Sequence, residues 1–349
     1  MLASNRYAWM FFGNGALGVR MFFVISGFLI TTLLLGELDR FGSIGLRAFY
    51  KRRMLRIFPA FYLYIAVIAA LSATNIVSIS ATDLTFAGTF TWNYSHLFFP
   101  TSPDGVLLGH FWTLALEEQF YILWPLTLAL FGRPKGLKIA VTIAASMPFV
   151  RTATYFAWPA SRPFTSMMLH TAADPLMFGC AAALLAGKPW FEQKIEKLKR
   201  VGWVPVGAAI FALLVSPFIR ARLKGIYDLP AGMTLECVCL TIILLYVTRV
   251  PSCRAGRILN APIPIAIGTL SYSIYLWNWL FLSPINKTWT AVFPTGICLC
   301  FLAGWLSYRF VETPFLNLRH RFNPSLEPKP ATASAIARSE GSPQITLPR

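Results

Sequence analysis

The stretch "FFGNGALGVRMFFVISGFLITTLL" fills residues 11–34, and the chain is nearly all apolar from Met21 to Leu35. A helix needs about 20 apolar residues to cross the ~30 Å hydrocarbon core of a membrane, so this stretch predicts a spanning helix. Similar apolar runs recur along most of the chain and predict an all-α, polytopic membrane protein with about nine transmembrane helices. The predicted spans lie near residues 17–36, 57–73, 112–131, 139–156, 171–187, 202–219, 231–248, 263–282 and 290–310.

The composition excludes a water-soluble domain. Of the 349 residues, 56% are hydrophobic and only 13% are charged, and the mean hydropathy is +0.58. The net charge of +17 does not indicate nucleic-acid binding, because Lys and Arg cluster between the apolar runs as they do in cytoplasmic loops. The six cysteines show no Cys/His metal spacing, so we expect no metal.

The last residues differ from the rest of the chain. Residues 323–349 are rich in Pro, Ser and Ala and have no apolar period, which is typical of disorder. We therefore expect one membrane domain over residues 1–322 and a disordered cytoplasmic tail over 323–349.

The loop charges predict the sidedness. Six basic residues fall in one set of loops and twenty in the alternate set, which comprises 37–56, 132–138, 188–201, 249–262 and 307–326. The positive-inside rule places the twenty in the cytoplasm together with the C-terminus. The first span then runs from outside to inside, which a preceding inside-to-outside helix would explain.

The segment "FYKRRMLRIFPAFY" (49–62) joins a basic loop to the second span. Arg53 and Arg56 are three residues apart and share a helix face, with Arg52 beside them. Guanidinium forks suit phosphate and carboxylate groups. The alternative is a topology anchor whose arginines extend to lipid headgroups.

The segment "GHFWTLALEEQFYILWP" (109–125) places two carboxylates inside an apolar run. Glu117 would lie ~10 Å along the helix from His110, and a carboxylate at that depth costs on the order of 2.5 kcal/mol or more. The i, i+7 and i, i+4 spacings give Glu117 a face shared with His110 and Tyr121. These three are the candidate catalytic residues, and we expect them to meet in one cavity. The alternative is a shallow entry that leaves Glu117 and Glu118 at the membrane interface.

Three further features are weaker indications of a functional site. Tyr272, Tyr275 and Trp279 form an aromatic helix face, for which packing is the favoured interpretation. Glu312 is expected to be a helix-end partner for a basic residue. Asp174 is either a charge at a helix N-terminus or part of an outward-facing cavity.

Six segments, taken together, resemble the acyltransferase-3 family of integral-membrane O-acyltransferases. They are "GALGVRMFFVISGFLI", "FYKRRMLRIFPAFY", "FWTLALEEQFYILWP", "DPLMFGCAAALLA", "LSYSIYLWNWL" and "YRFVETP", they occur in the family's order, and they extend over about residues 13–316. The resemblance implies a ten-helix enzyme of a bacterial inner (plasma) membrane. It would move an acyl group, acetyl being expected, from cytoplasmic acyl-CoA to a hydroxyl of a surface or secreted carbohydrate. The implied partners are the lipid bilayer, acyl-CoA as donor and a carbohydrate or glycolipid acceptor, without a metal.

The resemblance also assigns site residues. Arg53 and Arg56 match the family's Arg-x-x-Arg pair, which implies that they face the CoA phosphates; Arg52 adjoins them. Glu117 matches the carboxylate of the Trp-Ser-Leu-x-x-Glu segment, in which Thr113 here replaces the Ser and keeps the hydroxyl.

Two departures from the family pattern bear on activity. Asn278 stands where many members have His. The family's catalytic His lies on a helix before the Gly-Val-x-x-Phe-Phe segment, whereas the 17 residues before Gly18 contain no His. Acylation of a hydroxyl needs a base near neutral pH, and His110 is the best-placed substitute. We therefore expect the helix with the catalytic His to lie outside these 349 residues, and the chain as given to be either inactive or dependent on another base.

Two alternative functions are also consistent with the sequence. Intramembrane Glu and Arg also suit a transporter or flippase of a glycan or lipid intermediate. A membrane scaffold without enzymatic activity is the third alternative.

Overall fold

A computed structural model describes residues 15–283, 290 and 292–318 as a bundle of helices, with no strand in that part of the chain. The predicted tail, 323–349, lies outside the described residues. The helices are α1 (Gly15–Phe41), α2 (Leu46–Ala73), α3 (Ala81–Gly88), α4 (Trp92–Ser95), α5 (Phe111–Ala157), α6 (Leu169–Ala172), α7 (Asp174–Leu185), α8 (Pro189–Arg200), α9 (Trp203–Ile210), α10 (Ser216–Leu223), α11 (Gly225–Tyr227), α12 (Met233–Arg249), α13 (Arg254–Leu259), α14 (Pro262–Leu282), α15 (Thr295–Leu306) and α16 (Thr313–Leu318). Short π-helical segments, Phe211–Val215, Asp228–Gly232 and Ser307–Glu312, join α9 to α10, α11 to α12 and α15 to α16.

The prediction of a polytopic helical membrane protein is confirmed. In the described ranges, six helical segments are long and apolar enough to cross a membrane: Gly15–Phe41, Leu46–Ala73, Gly105–Ala157, Trp203–Leu223, Gly225–Arg249 and Pro262–Leu282. They contain seven of the nine predicted spans. The other two fall on the shorter apolar helix α7 and on α15 with its π-helical extension.

Helix α5 contains two predicted spans because it breaks at Gly132. This residue has φ 68° and ψ −178°, a backbone conformation that glycine adopts without the strain that a Cβ would bring. A Cβ on Gly136 would lie only 2.6 Å from Leu128 Cδ2, although eight residues of continuous helix span about 12 Å. The chain therefore doubles back at Gly132, and the two halves of α5 pack against each other.

The two ends of the bundle are distinct. At one end, here called the basic face, Arg133 at the break in α5 pairs with Asp39 of α1, and Arg249 of α12 pairs with Glu192 of α8 at 2.9 Å. At the other end, the opposite face, Arg20 near the start of α1 pairs with Glu236 near the start of α12. The basic face carries the loops that the charge distribution assigns to the cytoplasm.

Helices α1 and α7 make a close contact that runs through the middle of the bundle. A Cβ on Gly27 would lie 2.1 Å from the carbonyl oxygen of Leu176, and one on Gly179 would lie 2.1 Å from that of Val24. Only a hydrogen in place of a side chain permits this approach, which resembles the small-residue contacts of membrane helices. The contact fixes α1 against the core.

The main core lies between α1, α2, α5 and α7, and the outer surface of the bundle is also apolar. Phe61 and Tyr64 of α2 are fully buried, whereas Leu33 is 58% and Phe149 is 76% exposed. Large exposed apolar side chains on every side of a helical bundle are suited to contact with lipid tails, which supports the membrane assignment.

Candidate active site

Glu117 is the centre of a buried polar cluster in the first half of α5. Its side chain is almost fully buried, and its Oε1 accepts hydrogen bonds from Ser26 Oγ of α1 at 2.6 Å, from Arg53 Nη2 of α2 at 3.3 Å and from Tyr121 OH. No described residue donates to Oε2. A buried carboxylate that is paired on one oxygen and open on the other can still orient or deprotonate a hydroxyl.

Arg53 is the cation of this cluster. Its guanidinium carbon lies 3.6 Å from the centroid of the Tyr121 ring, a cation–π contact. Its Nε is buried and has no hydrogen-bond partner among the described residues. Glu118, the next residue after Glu117, likewise has a buried Oε1 without a described partner. These unsatisfied atoms show that the polar cluster can take up further donors and acceptors.

Below the cluster a groove opens toward the basic face between α1 and the start of α2. It has a volume of about 560 Å³. Its polar lining includes four arginines, Arg40, Arg52, Arg53 and Arg56, and one carboxylate, that of Glu37. Glu37 is already engaged, because it accepts from Arg52 at 3.3 Å and from the amide of Gly45 at 2.9 Å. The groove is thus strongly positive and ends at Arg53, beside Glu117.

His110 lies apart from this cluster. It precedes α5 and is 2% exposed, and its ring lies 5.3 Å from that of Tyr275 and 5.8 Å from that of Trp279, with Tyr64 on a third side. The two turns of helix between His110 and Glu117 rise about 10.5 Å, so sharing a face does not bring the two side chains together.

The other residues that the sequence singled out have structural contacts of their own. Tyr275 OH donates to the carbonyl oxygen of His110 at 2.9 Å, and Tyr272 OH donates to that of Ile57 at 2.8 Å, so both phenols tie α14 to its neighbours. Glu312 is buried and accepts a hydrogen bond from Ser273 Oγ. Asp174 is the first residue of α7, and its side chain also lines a small cavity.

Near the opposite face lies a second charged cluster, which the loop charges do not reveal. Glu236 is fully buried and pairs with Arg20 and, at 2.6 Å, with Arg220. Arg151 is fully buried and donates from Nη2 to Asp174 Oδ2 at 2.8 Å. Charged pairs at this depth are costly unless each charge has a partner, and each of these has one.

Sequence reasoning did not single out Ser26, Arg20 or Arg151. The sequence did contain an indication for the two arginines: both lie inside predicted spans, where a charged residue usually has a specific partner. Ser26 gives a weaker signal, since a lone hydroxyl in an apolar helix commonly bonds within its own helix. Its contact with Glu117 depends on α1 lying beside α5.

Comparison with known proteins gives the family. The acyltransferase domain model of the acyltransferase-3 family matches residues 2–311, and the chain belongs to this family. A protein of Staphylococcus aureus (strain COL) named as a candidate O-acetyltransferase is 31% identical over 328 residues, which cover 86% of this chain and 53% of that protein. The O-acetyltransferase OatA of S. aureus (strain NCTC 8325) is 28% identical over 323 residues, which cover 86% of this chain and 52% of OatA.

The chain spans about half the length of the curated relatives that it matches. No solved structure matches it. The predicted family is therefore confirmed, and so is membership of a membrane acyltransferase class, whereas the roles of the individual site residues stay predictions.

Proposed function

We propose that the protein is a membrane O-acyltransferase that moves an acyl group, acetyl being expected, from acyl-CoA to a hydroxyl of a carbohydrate. The observation that supports this most strongly is the arginine-lined groove that ends at the buried Glu117. Membership of the acyltransferase family and the names of the O-acetyltransferase relatives point to the same chemistry.

The groove suits the polyanionic part of acyl-CoA. Coenzyme A carries phosphate groups, and arginine binds phosphate through paired, charge-assisted hydrogen bonds. Four arginines against one engaged carboxylate leave a net positive surface at the groove. Its opening lies at the basic face, which the positive-inside rule assigns to the cytoplasm.

The polar cluster suits the transfer step. The acceptor oxygen would attack the thioester carbonyl carbon, the carbon–sulfur bond would break, and the CoA sulfur would leave as a thiolate that takes up a proton. Glu117 would receive the hydroxyl proton on Oε2, which has no donor among the described residues. Arg53 and Tyr121 hold Oε1 and fix the direction of the carboxylate. His110 stays a second candidate base, from its own buried position.

The test compares envelope carbohydrate from cells with and without the full-length gene. We expect base-labile acetate on the carbohydrate only when the gene is present, by mass spectrometry of released glycans. Glu117→Gln keeps the size of the side chain but removes its negative charge, and it should lower acetylation at least about a hundredfold, equivalent to about 2.7 kcal/mol of barrier.

Glu196→Gln is the matched control, because Glu196 lies on α8 outside the groove and pairs with Lys199 on the surface. It should leave acetylation unchanged. Glycan movement across the membrane without ester formation would instead support the flippase alternative. Full acetylation by Glu117→Gln would overturn the site assignment.

A further inference from the structure

We infer that a small cavity at the opposite face, lined by Arg20, Trp112, Ser166 and Asp174, receives the hydroxyl-bearing edge of the carbohydrate acceptor. This inference rests on the proposed function, because it names where the second substrate of that reaction binds.

The cavity lies where several elements meet near the opposite face. Residues from the start of α1, the start of α5, the segment before α6, the start of α7 and the start of α12 line it. Its volume is about 70 Å³, far less than that of the arginine groove. We assign to it one edge of a sugar ring with its hydroxyl rather than a whole oligosaccharide.

The polar walls of the cavity have unused hydrogen-bonding capacity. Asp174 is 1% exposed, and both hydrogen bonds that it accepts, from Arg151 and from Thr234 at 2.8 Å each, fall on Oδ2. Its Oδ1 accepts none among the described residues. Arg20 donates to Glu236 only from Nη1, so its Nε and Nη2 have no described acceptor. A hydroxyl, which both donates and accepts, satisfies this pair of groups.

The charge balance favours a neutral ligand. Arg20 and Arg220 both pair with Glu236, and Arg220 also pairs with Asp228, so two cations face two carboxylates there. Asp174 is neutralised by Arg151. Neither a phosphate nor an ammonium group would therefore find a net countercharge in the cavity. A neutral polyol uses the fixed donors and acceptors without disturbing the two ion pairs, and the indole of Trp112 offers an apolar wall to the carbon face of a sugar.

The floor of the cavity leads toward Glu117. Phe23 and Trp112 form part of the lining and touch edge to face, with ring centroids 6.2 Å apart. Ser26, which donates to Glu117, follows Phe23 by three residues on the same face of α1. Trp112 precedes Glu117 by five residues, about 7.5 Å of helix rise. The cavity therefore lies on the side of Glu117 that is opposite to the arginine groove, with Phe23 and Trp112 between them.

The test blocks the cavity from outside. In cells that carry the gene, acetylation of the envelope carbohydrate by Ser166→Cys is first measured without any reagent, and this value is the variant's own baseline. Treatment of the intact cells with a sulfonated maleimide, which does not cross the membrane, should then lower acetylation at least tenfold. Ala16→Cys places a thiol on another wall of the cavity, and its labelling should lower acetylation in the same way. This second variant keeps the test valid if Ser166→Cys fails to fold.

The controls separate this inference from the proposed function. Ala81→Cys places a thiol at the exposed start of α3, away from the cavity, and its labelling should leave acetylation unchanged, as should treatment of the wild type. Labelled and unlabelled Ser166→Cys protein, once purified, should be stabilised equally by acetyl-CoA in a thermal shift assay.

Three results would overturn the inference. The first is full acetylation by labelled Ser166→Cys and Ala16→Cys protein. The second is labelling of these cysteines only after the cells are permeabilised. The third, absence of acetylation by the wild type, would remove the proposed function and this inference with it. Acetylation by the wild type together with either of the first two results would remove the acceptor cavity alone.

Discussion

The groove at the basic face and the cavity at the opposite face differ in size and in charge. The groove has about 560 Å³ and an excess of arginine. The cavity has about 70 Å³ and is lined by one Arg and one Asp, both of which are held in ion pairs. The difference suits the two substrates of the proposed reaction, because an excess of positive charge attracts a polyanion whereas balanced charge favours a neutral polyol. Glu117 lies between the two regions.

The largest expected effect concerns the ion pairs behind the cavity. Arg151→Met removes a fully buried cation and leaves Asp174 without it, so it should cost about 3–5 kcal/mol of stability. The apparent melting temperature in detergent measures this. Arg133→Met is the control, since Arg133 and Asp39 are both largely exposed and such pairs contribute at most about 1 kcal/mol. Equal losses of stability in the two variants would mean that the buried ion pair beside the cavity stabilises the protein no more than the exposed pair does.

A smaller effect is expected at the junction of the two regions. Tyr121→Phe keeps the ring under Arg53 but removes the hydroxyl that donates to Glu117. A hydrogen bond to a charged group contributes about 1.5–3 kcal/mol, so the acyl-transfer rate should fall by about 10- to 100-fold with little change in the Kd of acetyl-CoA. Tyr50→Phe is the control. The hydroxyl of Tyr50 donates to the carbonyl oxygen of Ile122, so its removal should cause no comparable loss of rate. A changed Kd with an unchanged rate would place Tyr121 in donor binding instead.

The groove itself should respond more weakly, because four arginines share its charge. Arg56→Gln should raise the Kd of acetyl-CoA by about tenfold, or about 1.4 kcal/mol, and make binding less sensitive to salt. Isothermal titration at two ionic strengths measures both quantities. Arg254→Gln removes one positive charge from α13, outside the groove, and serves as the control. Identical behaviour of the two variants would show that only the overall charge of the basic face matters.

The smallest effect should be confined to the opposite face. His96 stacks on Phe164, two residues before Ser166 in the cavity wall, with ring centroids 4.7 Å apart. Burial lowers the pKa of His96, and the nearby carboxylate of Asp83 opposes this shift only in part. The unfolded chain therefore binds more protons than the native protein below about pH 6.5, and stability should fall as the pH is lowered from 7 to 5.

His96→Gln should flatten that decrease in melting temperature without altering acetyl-CoA binding at either pH. An unchanged pH profile in the variant would show that other groups titrate in this range.

The sequence predicted local contacts well and contacts between helices poorly. The i, i+4 spacing of Glu117 and Tyr121 is sufficient for their contact, since a helix brings such residues to the same face one turn apart. The turn at 132–138 follows from its Gly, Pro and Lys residues. By contrast, nothing in the spacing indicates that α1 supplies Ser26 to Glu117 or that Arg20 reaches Glu236, because these contacts depend on which helices are neighbours.

His110 shows that two residues on the same face of a helix need not be in contact. Positions i and i+7 share a helix face, but the two turns between them separate the side chains by about 10.5 Å along the axis. Helices α14 and α2 supply rings around His110, and the order of the residues does not reveal that packing. The predicted span 171–187 likewise divides at Ala173 between α6 and α7, since Pro175 suits the first turn of a new helix.

The break at Gly132 has a consequence for how the protein is made. Two apolar halves joined by a tight turn, and packed through Gly136 and Leu128, form a helical hairpin that can enter the bilayer as one unit. Basic residues follow the turn directly, namely Arg133, Lys135 and Lys138, and by the positive-inside rule we expect the tip of the hairpin to stay on the cytoplasmic side. Any side chain at position 132 would strain this turn and would therefore impair membrane insertion before it affected catalysis.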